Sequence, residues 1–354
     1  MATTDRRLLA LIDELLKVHE PAIRRAFLEA MRDARGAVVL QDVVDALARG
    51  DLSAAMAAIE FPRTFLAPLD MEISRTYFES GRVFAGLLMA DRPRGVTVEV
   101  RFDPGNPRAA QWLRQHSSAL ITEIVNDQRE AVREALDAGM MAGRNPRVVA
   151  LDVVGRMDRV AKQRVGGVIG LTTQQSQWVE NARAELMSGD PVRMEGYFDR
   201  KLRDKRFDRL VRKAIAEGKP VSAVDVARIT TRYGDRLLKF RGDTIARTES
   251  LTALSYSQDE SARQLLDASG LRPDQITRSW ITRHDGRARD SHIALDGKKA
   301  PLDGYFVSPM TGARLRFPRD TSGGAPASEL VACRCASSLK VSWNNPRQTV
   351  RTGL

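Results

Sequence analysis

The sequence pattern changes at Pro273, and this change constrains the fold more than any other feature. Before Pro273, apolar residues recur every three or four positions over long stretches, as in amphipathic helices. After it, glycine and proline recur every few residues between short alternating segments, as in strands joined by loops. The chain is therefore predicted to be α+β, with mostly helical N-terminal and middle regions and a small C-terminal α+β domain.

Several helices and one strand are predicted upstream of Pro273. The predicted helices are 108–143, the basic amphipathic stretch 199–220, 242–270, one with Thr172 or Thr173 as N-cap, and one that starts at Asp51 or Ser53 and ends before Pro62. The segment 95–102, GVTVEVRF, alternates valine with polar residues. This alternation predicts a short half-buried strand.

Downstream of Pro273, the segment that begins ITRSW is predicted to be a strand that turns at Asp285-Gly286. A helix of one or two turns follows, with Asp290 as N-cap and Gly297 just beyond its end. The cysteine-containing stretch near the end is predicted to be another strand. The predicted divisions are an N-terminal region 1–104, a helical middle region 105–220, a C-terminal domain 221–341 and a basic irregular tail 342–354.

The charge of the chain is unevenly distributed. The 354 residues carry 56 Lys and Arg against 45 Asp and Glu. Residues 144–213 hold 16 basic and 9 acidic residues, and residues 272–354 hold 14 and 7. Two basic segments suggest contact with a polyanion such as double-stranded DNA, or else a solvated basic surface. The candidate DNA contacts are Lys201, Arg203, Lys205, Arg206, Arg209, Arg212 and Lys213.

No stretch approaches the run of about 18 apolar residues that crosses a bilayer, so no membrane partner is expected. The N-terminus runs directly into an amphipathic helix without a signal-peptide pattern. Two cysteines cannot form a disulfide framework, which indicates that the protein works, or is assembled, in a reducing cytoplasm.

Cys333 and Cys335 are separated only by Arg334. In a strand the two thiols would face one side, and a disulfide between them would be strained. Three interpretations remain open. The cysteines are small buried apolar side chains, or they bind zinc with His284 and His292, or they do redox or nucleophilic chemistry. The one-residue spacing argues against zinc, because structural sites usually place two to four residues between paired cysteines.

His292 has three interpretations as well. It is a metal ligand, a general base assisted by Asp285 or Asp296, or a structural residue that hydrogen-bonds nearby loops. Arg287 and Arg289 beside it would pair with a nearby carboxylate or contact phosphates.

Arg247 and Glu249 lie two residues apart on a predicted helix and so point to different faces. We expect one of them to form a buried ion pair with the C-terminal lobe that follows Pro273. Trp280 is expected to pack in the core of that domain.

Five motifs in the C-terminal third occur in a recognisable order. They are IARTES at 245–250, SWITRHDGRARDSH at 279–292, LDG at 295–297, GARLRFPRD at 312–320 and CRC at 333–335. In this order they resemble the phage head morphogenesis proteins, also called Mu F-like minor capsid proteins. Upstream, the helix from Arg108 and the segment GLTTQQSQWVENARAEL are less specifically similar to that family.

The resemblance implies a minor head protein of a tailed phage or prophage. Such a protein would act inside the capsid or near the portal during assembly and DNA packaging. Portal or capsid proteins and packaged double-stranded DNA would be its partners, and it would occur in the virion and, during assembly, in the host cytoplasm. The resemblance implies no catalytic residue and no small-molecule substrate.

The residues of these motifs are predicted to be structural. They include Arg247, Glu249, Trp280, Asp285, Arg289, His292, Asp296, Gly297, Cys333, Arg334 and Cys335. No cofactor is expected other than a zinc ion at the histidines and cysteines. The alternative function is a metal-dependent nuclease or hydrolase that uses the His, Asp and Cys residues of this domain.

Overall fold

The computed structural model describes residues 3–90 and 92–343. Long helices dominate the N-terminal and middle regions, and small antiparallel sheets lie in the C-terminal part, so the predicted α+β class is confirmed. Residues 344–354, most of the predicted basic tail, lie outside the described ranges. Among the described residues, no helix has both the length and the apolar composition to span a bilayer.

The helices account for most of the described chain. They are α1 Thr3–Ala37, α2 Leu40–Ala48, α3 Leu52–Ala58, α4 Ala67–Ala90, α5 Pro107–Met141, α6 Pro146–Val154, α7 Thr173–Met187, α8 Pro191–Glu195, α9 Asp208–Ala216, α10 Ala223–Ser269, α11 Asp290–Ile293 and α12 Ala327–Leu330. Short 3-10 turns occur at Arg63–Leu66, Gly196–Asp199, Lys205–Phe207 and Pro273–Gln275.

Side-chain caps account for two of the predicted helix starts. Asp51 accepts a hydrogen bond from the backbone N–H of Ala54 and caps α3. Thr172 and Gln175 form a reciprocal capping box at the start of α7. These caps satisfy N–H groups that have no partner within a helix, which is why the sequence located both starts. The helix predicted at 108–143 is confirmed as α5.

The helix α10 is longer than predicted. It begins at Ala223 rather than near Gly242 and runs for 47 residues. Gly242 lies inside it, where a Cβ atom would meet Leu28 Cδ2 at 3.2 Å. The glycine thus permits close packing, and the surrounding contacts offset its low helix propensity.

The predicted basic helix at 199–220 is wrong in its extent. The segment consists of the end of one 3-10 turn, a second turn at Lys205–Phe207, and α9. Asp204 accepts a hydrogen bond from the backbone N–H of Arg206 and starts a new turn there. An aspartate that caps a new turn competes with continuation of a helix through the same residues. Of the apolar residues on the predicted buried side, Val211 is fully buried and Leu210 is half-buried.

The predicted strand at 95–102 is wrong as well. Val98, Val100 and Phe102 are buried in alternation, but the segment forms no strand. Its end is held by a side chain, since Asp103 N–H donates to Gln264 Oε1 and Gln264 Nε2 donates to the Asp103 carbonyl. Alternation reports which side chains are buried and does not establish pairing with another strand.

The strands are short and antiparallel. They are β1 Arg156–Asp158, β2 Gln163–Val165, β3 Ile276–Ile281, β4 Lys299–Pro301, β5 Phe306–Val307, β6 Arg314–Leu315 and β7 Ala336–Val341. The strand β3 lies at the centre of a three-stranded sheet between β4 and β7. Its register places Trp280 opposite Ser337 and Ile281 opposite Ala336. The predicted Trp strand is therefore confirmed.

The chain forms two compact units that are not contiguous in sequence. The first contains the described residues of Met1–Arg24, Leu69–Ser117 and Asp243–Leu354, and the second contains Arg25–Pro68 and Ser118–Gly242. Each unit has its own buried apolar clusters. The four sequence-based divisions follow chain order and remain a prediction.

A buried ion pair joins the sheet of the first unit to α10. Arg278 on β3 is 1% exposed, and its Nη2 lies 2.6 Å from Oδ1 of Asp259 on α10. Asp259 also contacts Arg263 at 2.9 Å, and Arg278 donates to the carbonyl of Arg316. Burial lowers the pKa of Arg278, whereas for Asp259 the neighbouring arginines outweigh burial and lower its pKa. The lowered pKa of Asp259 favours its carboxylate form, and this carboxylate opposes the effect of burial on Arg278.

The variant Asp259→Ala leaves the buried Arg278 without its carboxylate. We expect the free energy of unfolding to fall by about 3–5 kcal/mol, the cost of breaking a buried ion pair. Urea unfolding of the full chain measures this change. The control is Asp274→Ala, which removes an exposed pair with Arg272 and should leave the midpoint unchanged. Equal midpoints for the two variants would contradict the role of the buried pair.

Candidate metal centre

His292, Cys333 and Cys335 lie together in the first unit. They are 1%, 2% and 3% exposed, and both cysteines are free thiols. Nδ1 of His292 lies 3.5 Å from Sγ of Cys333 and 3.5 Å from Sγ of Cys335. The three donor atoms all lie within 4.8 Å of one another. Within the described ranges, this is the group of His, Cys, Asp and Glu side chains that is compact enough to hold one metal ion.

The sheet and a short helix bring these residues together. His292 lies on α11, whose first residue is Asp290, so the predicted Asp290 N-cap is wrong and Arg289 is the N-cap. The cysteines lie just before β7 in irregular backbone, so the predicted cysteine strand is also wrong. Both thiols nevertheless face His292. The Trp280 ring packs edge-on against His292 at 5.2 Å between centroids.

Arg319 holds the backbone of both cysteines. It is 3% exposed, and its Nη1 donates to the carbonyl oxygens of Cys333 and Cys335, each at 2.8 Å. Its Nη2 donates to Ser255 Oγ on α10 at 2.6 Å. The planar guanidinium therefore fixes both ends of the Cys-Arg-Cys turn and anchors it to the long helix.

Glu329 on α12 lies on the other side of His292. Its Oε2 is 2.8 Å from Nε2 of His292, although the N–H direction is not aligned as in a hydrogen bond. The carboxylate also accepts hydrogen bonds from Ser291, Ser308 and Thr311. Burial raises the pKa of Glu329, but these hydroxyl donors outweigh it and lower the pKa. Glu329 is thus held as a carboxylate beside the imidazole.

The two thiols differ in acidity. A hydrogen bond with Cys335 lowers the pKa of Cys333, and His292 and Arg319 act in the same direction against burial. The pKa of Cys335 is raised by its hydrogen bond with Cys333 and by burial. Cys333 therefore ionises first. A thiolate is the form that binds metals or acts as a nucleophile.

Neither predicted carboxylate partner pairs with His292, although Asp285 lines the small opening that reaches it. Asp285 lies 2.5 Å from Nη2 of Arg334. Asp296 accepts hydrogen bonds from the N–H and hydroxyl of Thr282 and lies 3.1 Å from Nε2 of His284. His284 is about half exposed and is not among the three clustered donors. The predicted set of two histidines and two cysteines is therefore wrong in including His284, whereas its other three residues lie together.

A small opening of about 20 Å³ reaches His292 and Cys335 from the surface. Among the residues that line it are Arg283, Arg287 and Arg289. Arg289 donates to the carbonyl of Val331 rather than to a carboxylate. The opening has room for about one water molecule.

Arg247 and Glu249 pair with α1 and α5 and not with the part of the chain after Pro273. Arg247 forms a two-pronged contact with Glu20 on α1, the closest at 2.9 Å. Glu249 lies 2.5 Å from Nε2 of His116 on α5. The predicted ion pair with the part of the chain after Pro273 is therefore wrong, because these two side chains of α10 face α1 and α5.

Gly297 follows α11 with a φ of +72°, and its N–H donates to the carbonyl of Trp280 at 2.9 Å. The Leu-Asp-Gly motif is thus a turn that returns the chain to the sheet. An L side chain at this φ would be strained, which accounts for the glycine.

The predicted DNA-contacting cations fall into two groups, those that pair with a carboxylate and those that do not. Four have carboxylate partners: Arg203 with Asp208 at 3.0 Å, Arg206 with Asp204 at 2.6 Å, Arg212 with Asp208 at 3.8 Å and Lys213 with Glu217 at 3.7 Å. Lys201, Lys205 and Arg209 are exposed, and no carboxylate in the described residues pairs with them. These three have their full charge available to a phosphate.

A larger cavity of about 1120 Å³ lies in the second unit, and none of the three donor residues lines it. Arginines and exposed apolar side chains line it, including Arg156, Arg183, Met187 and Val224. Arg156 and Arg183 both contact Asp152, at 2.8 and 3.0 Å. Size alone favours this cavity as a binding site, whereas the clustered donor atoms favour the smaller site in the first unit.

Sequence reasoning missed Arg319 and Glu329. Glu329 lies four residues before Cys333, which is a weak local signal of proximity. Arg319 lies in the motif at 312–320, but nothing in that motif indicated its contacts, because its partners are backbone carbonyls 14 and 16 residues away.

The variant Arg319→Lys keeps the positive charge but cannot donate to both carbonyls and to Ser255. We expect unfolding to become easier by about 1–3 kcal/mol for each buried acceptor left unpaired. A urea titration checks this. Arg314→Lys is the matched control, since Arg314 is exposed and lies over the ring of Tyr305 at 4.3 Å. If both variants unfold at the wild-type midpoint, the anchoring role of Arg319 is wrong.

Comparison with known proteins supports one assignment. No curated protein and no solved structure matches the chain significantly. The match to a family model covers less than half of the chain. It includes α9, all of α10, β3, β4, the first three residues of β7 and the three donor residues. The similarity predicted upstream of it remains a prediction. Residues 205–338 match the family described as Phage Mu protein F like protein, which confirms the resemblance predicted from the five motifs.

Proposed function

We propose that the protein is a minor head protein of a tailed phage or prophage that acts in head morphogenesis. The match of residues 205–338 to the Phage Mu protein F like family carries this proposal. In its finer form, the protein works near the portal or in the capsid interior while DNA is packaged, and it contacts portal or capsid subunits.

The contacts of the motif residues support a docking role over turnover of a substrate. Arg319 is bonded to backbone carbonyls, and Glu329 to three hydroxyl groups. The opening beside His292 has space for about one water, far less than the several hundred Å³ of a typical substrate pocket. Side chains held in this way make a rigid scaffold.

Quantitative mass spectrometry of purified heads tests the role in assembly. In heads of a phage or induced prophage that encodes this chain, we expect the protein in far fewer copies than the major capsid protein. Crosslinking of the same heads should link it to portal or capsid subunits. Its absence from both immature and mature heads would overturn the proposal.

We further propose that the protein contacts packaged DNA through Lys201, Lys205 and Arg209. These side chains are exposed, and no ion pair in the described part of the chain neutralises them. Cations paired with carboxylates displace fewer counterions from DNA, because their charge is already compensated.

The triple variant K201A/K205A/R209A tests the DNA contact. The slope of log K against log salt for duplex DNA should become shallower by about 0.9 for each phosphate contact removed. The matched control, R206A/R212A/K213A, removes three exposed cations of the same segment that already pair with carboxylates, and it should change the slope less. A wild-type affinity that does not vary with salt would eliminate DNA contact and leave the role in assembly standing.

A further inference from the structure

We propose that His292, Cys333 and Cys335 bind one zinc ion through Nδ1 and the two Sγ atoms, and that a water molecule completes its coordination. The inference is separate from the proposed role in phage heads. It concerns what holds the C-terminal domain together.

The donor spacing fits a tetrahedral zinc centre. Zinc bonds of about 2.3 Å to sulfur and about 2.0–2.1 Å to nitrogen at tetrahedral angles separate S and N by about 3.6 Å. The two observed Sγ–Nδ1 distances are both 3.5 Å. A neutral imidazole nitrogen has one proton or one lone pair, so it cannot make aligned hydrogen bonds to two sulfurs at once. A metal ion between the three atoms uses all of them.

Glu329 sets the imidazole in the orientation that binding requires. Its Oε2 lies 2.8 Å from Nε2, on the side of the ring opposite the sulfurs. The negative charge of this carboxylate favours a proton on Nε2, although the N–H is not aligned as in a hydrogen bond, and Nδ1 then presents its lone pair to the metal. Carboxylates play this part behind many metal-bound histidines.

Arg319 prepares the cysteines for the same ion. By bonding both carbonyls it holds the two Sγ atoms on one side of the turn. Within the described residues, no carboxylate forms an ion pair with this buried guanidinium, and its positive charge lies beside the two cysteines. Two thiolates and an imidazole are soft and intermediate ligands, which suit zinc and do not suit calcium or magnesium.

We assign the fourth coordination position of the zinc ion to a water molecule. His284 is turned away toward Asp296. The opening of about 20 Å³ that reaches His292 and Cys335 holds about one water and excludes a larger ligand. The ion therefore acts as a cross-link between α11 and the segment before β7, which are about 40 residues apart in sequence. Metal binding to the folded form stabilises it by mass action.

Elemental analysis and cobalt spectroscopy test the site on the full chain. Protein purified without chelators should contain about one zinc per chain. Replacement by Co²⁺ should produce sulfur-to-cobalt charge-transfer absorption in the near ultraviolet, which added zinc should abolish at one equivalent. Cys335→Ser and His292→Gln should lose zinc. The matched control His284→Gln should keep both the zinc and the absorption band.

Glu329→Gln separates a positioning role from ligation. We expect a loss of about 10–100-fold in zinc affinity with the cobalt–thiolate band retained, because both sulfurs remain. If Cys335→Ser or His292→Gln does not fold, the cobalt and zinc titrations of wild type and His284→Gln still decide. Wild-type protein with less than about a tenth of an equivalent of zinc and no cobalt–thiolate band would overturn the proposal. Loss of zinc in His284→Gln would overturn the ligand set.

Discussion

The buried pair between Arg278 on β3 and Asp259 on α10 is the interaction on which the C-terminal domain depends. It joins the central strand of the sheet to the long helix, with both charges removed from water. Since β3 pairs with β7 in register, the pair also sets the position of Cys335, one residue before β7. A buried charge that loses its partner is strongly destabilising, so the pair enforces one docking of sheet on helix.

A second buried arginine extends this anchoring to the Cys-Arg-Cys turn. Arg319 bonds the carbonyls on both sides of Arg334 and also Ser255 on α10. Glu329 performs a related task around His292, where it accepts hydrogen bonds from Ser291 on α11 and from Ser308 and Thr311 in the turn after β5. Nε of Arg319 and Nε2 of His292 make no hydrogen bond within the described part of the chain, but the other contacts of these networks are buried and close. Buried polar networks of this kind favour a single arrangement of loops that have little regular structure of their own. The motif residues thus form a scaffold, and the proposed zinc ion would add one more cross-link to it.

The basic residues of the chain differ in how far their charge is accessible to a partner. Arg278 and Arg319 contribute to the net charge but are inaccessible to any partner. Arg203 and Arg206 are already paired with aspartates. Net charge therefore overstates the surface available to a polyanion, and exposure together with pairing decides which cations a phosphate would contact.

The sequence by itself determined the α+β class, the helix α5, the caps at Asp51 and Thr172, and the similarity of the C-terminal part to the Phage Mu protein F like family. Periodicity, capping and ordered motifs are local properties. Only the tertiary structure decided which side chains meet. It united His292 with the cysteines, excluded His284, and gave Arg247 and Glu249 partners on α1 and α5. It also showed that the alternating apolar residues at 95–102 are buried although the segment pairs with no strand of the described chain. These outcomes rest on contacts between residues far apart in sequence, and no local pattern encodes them.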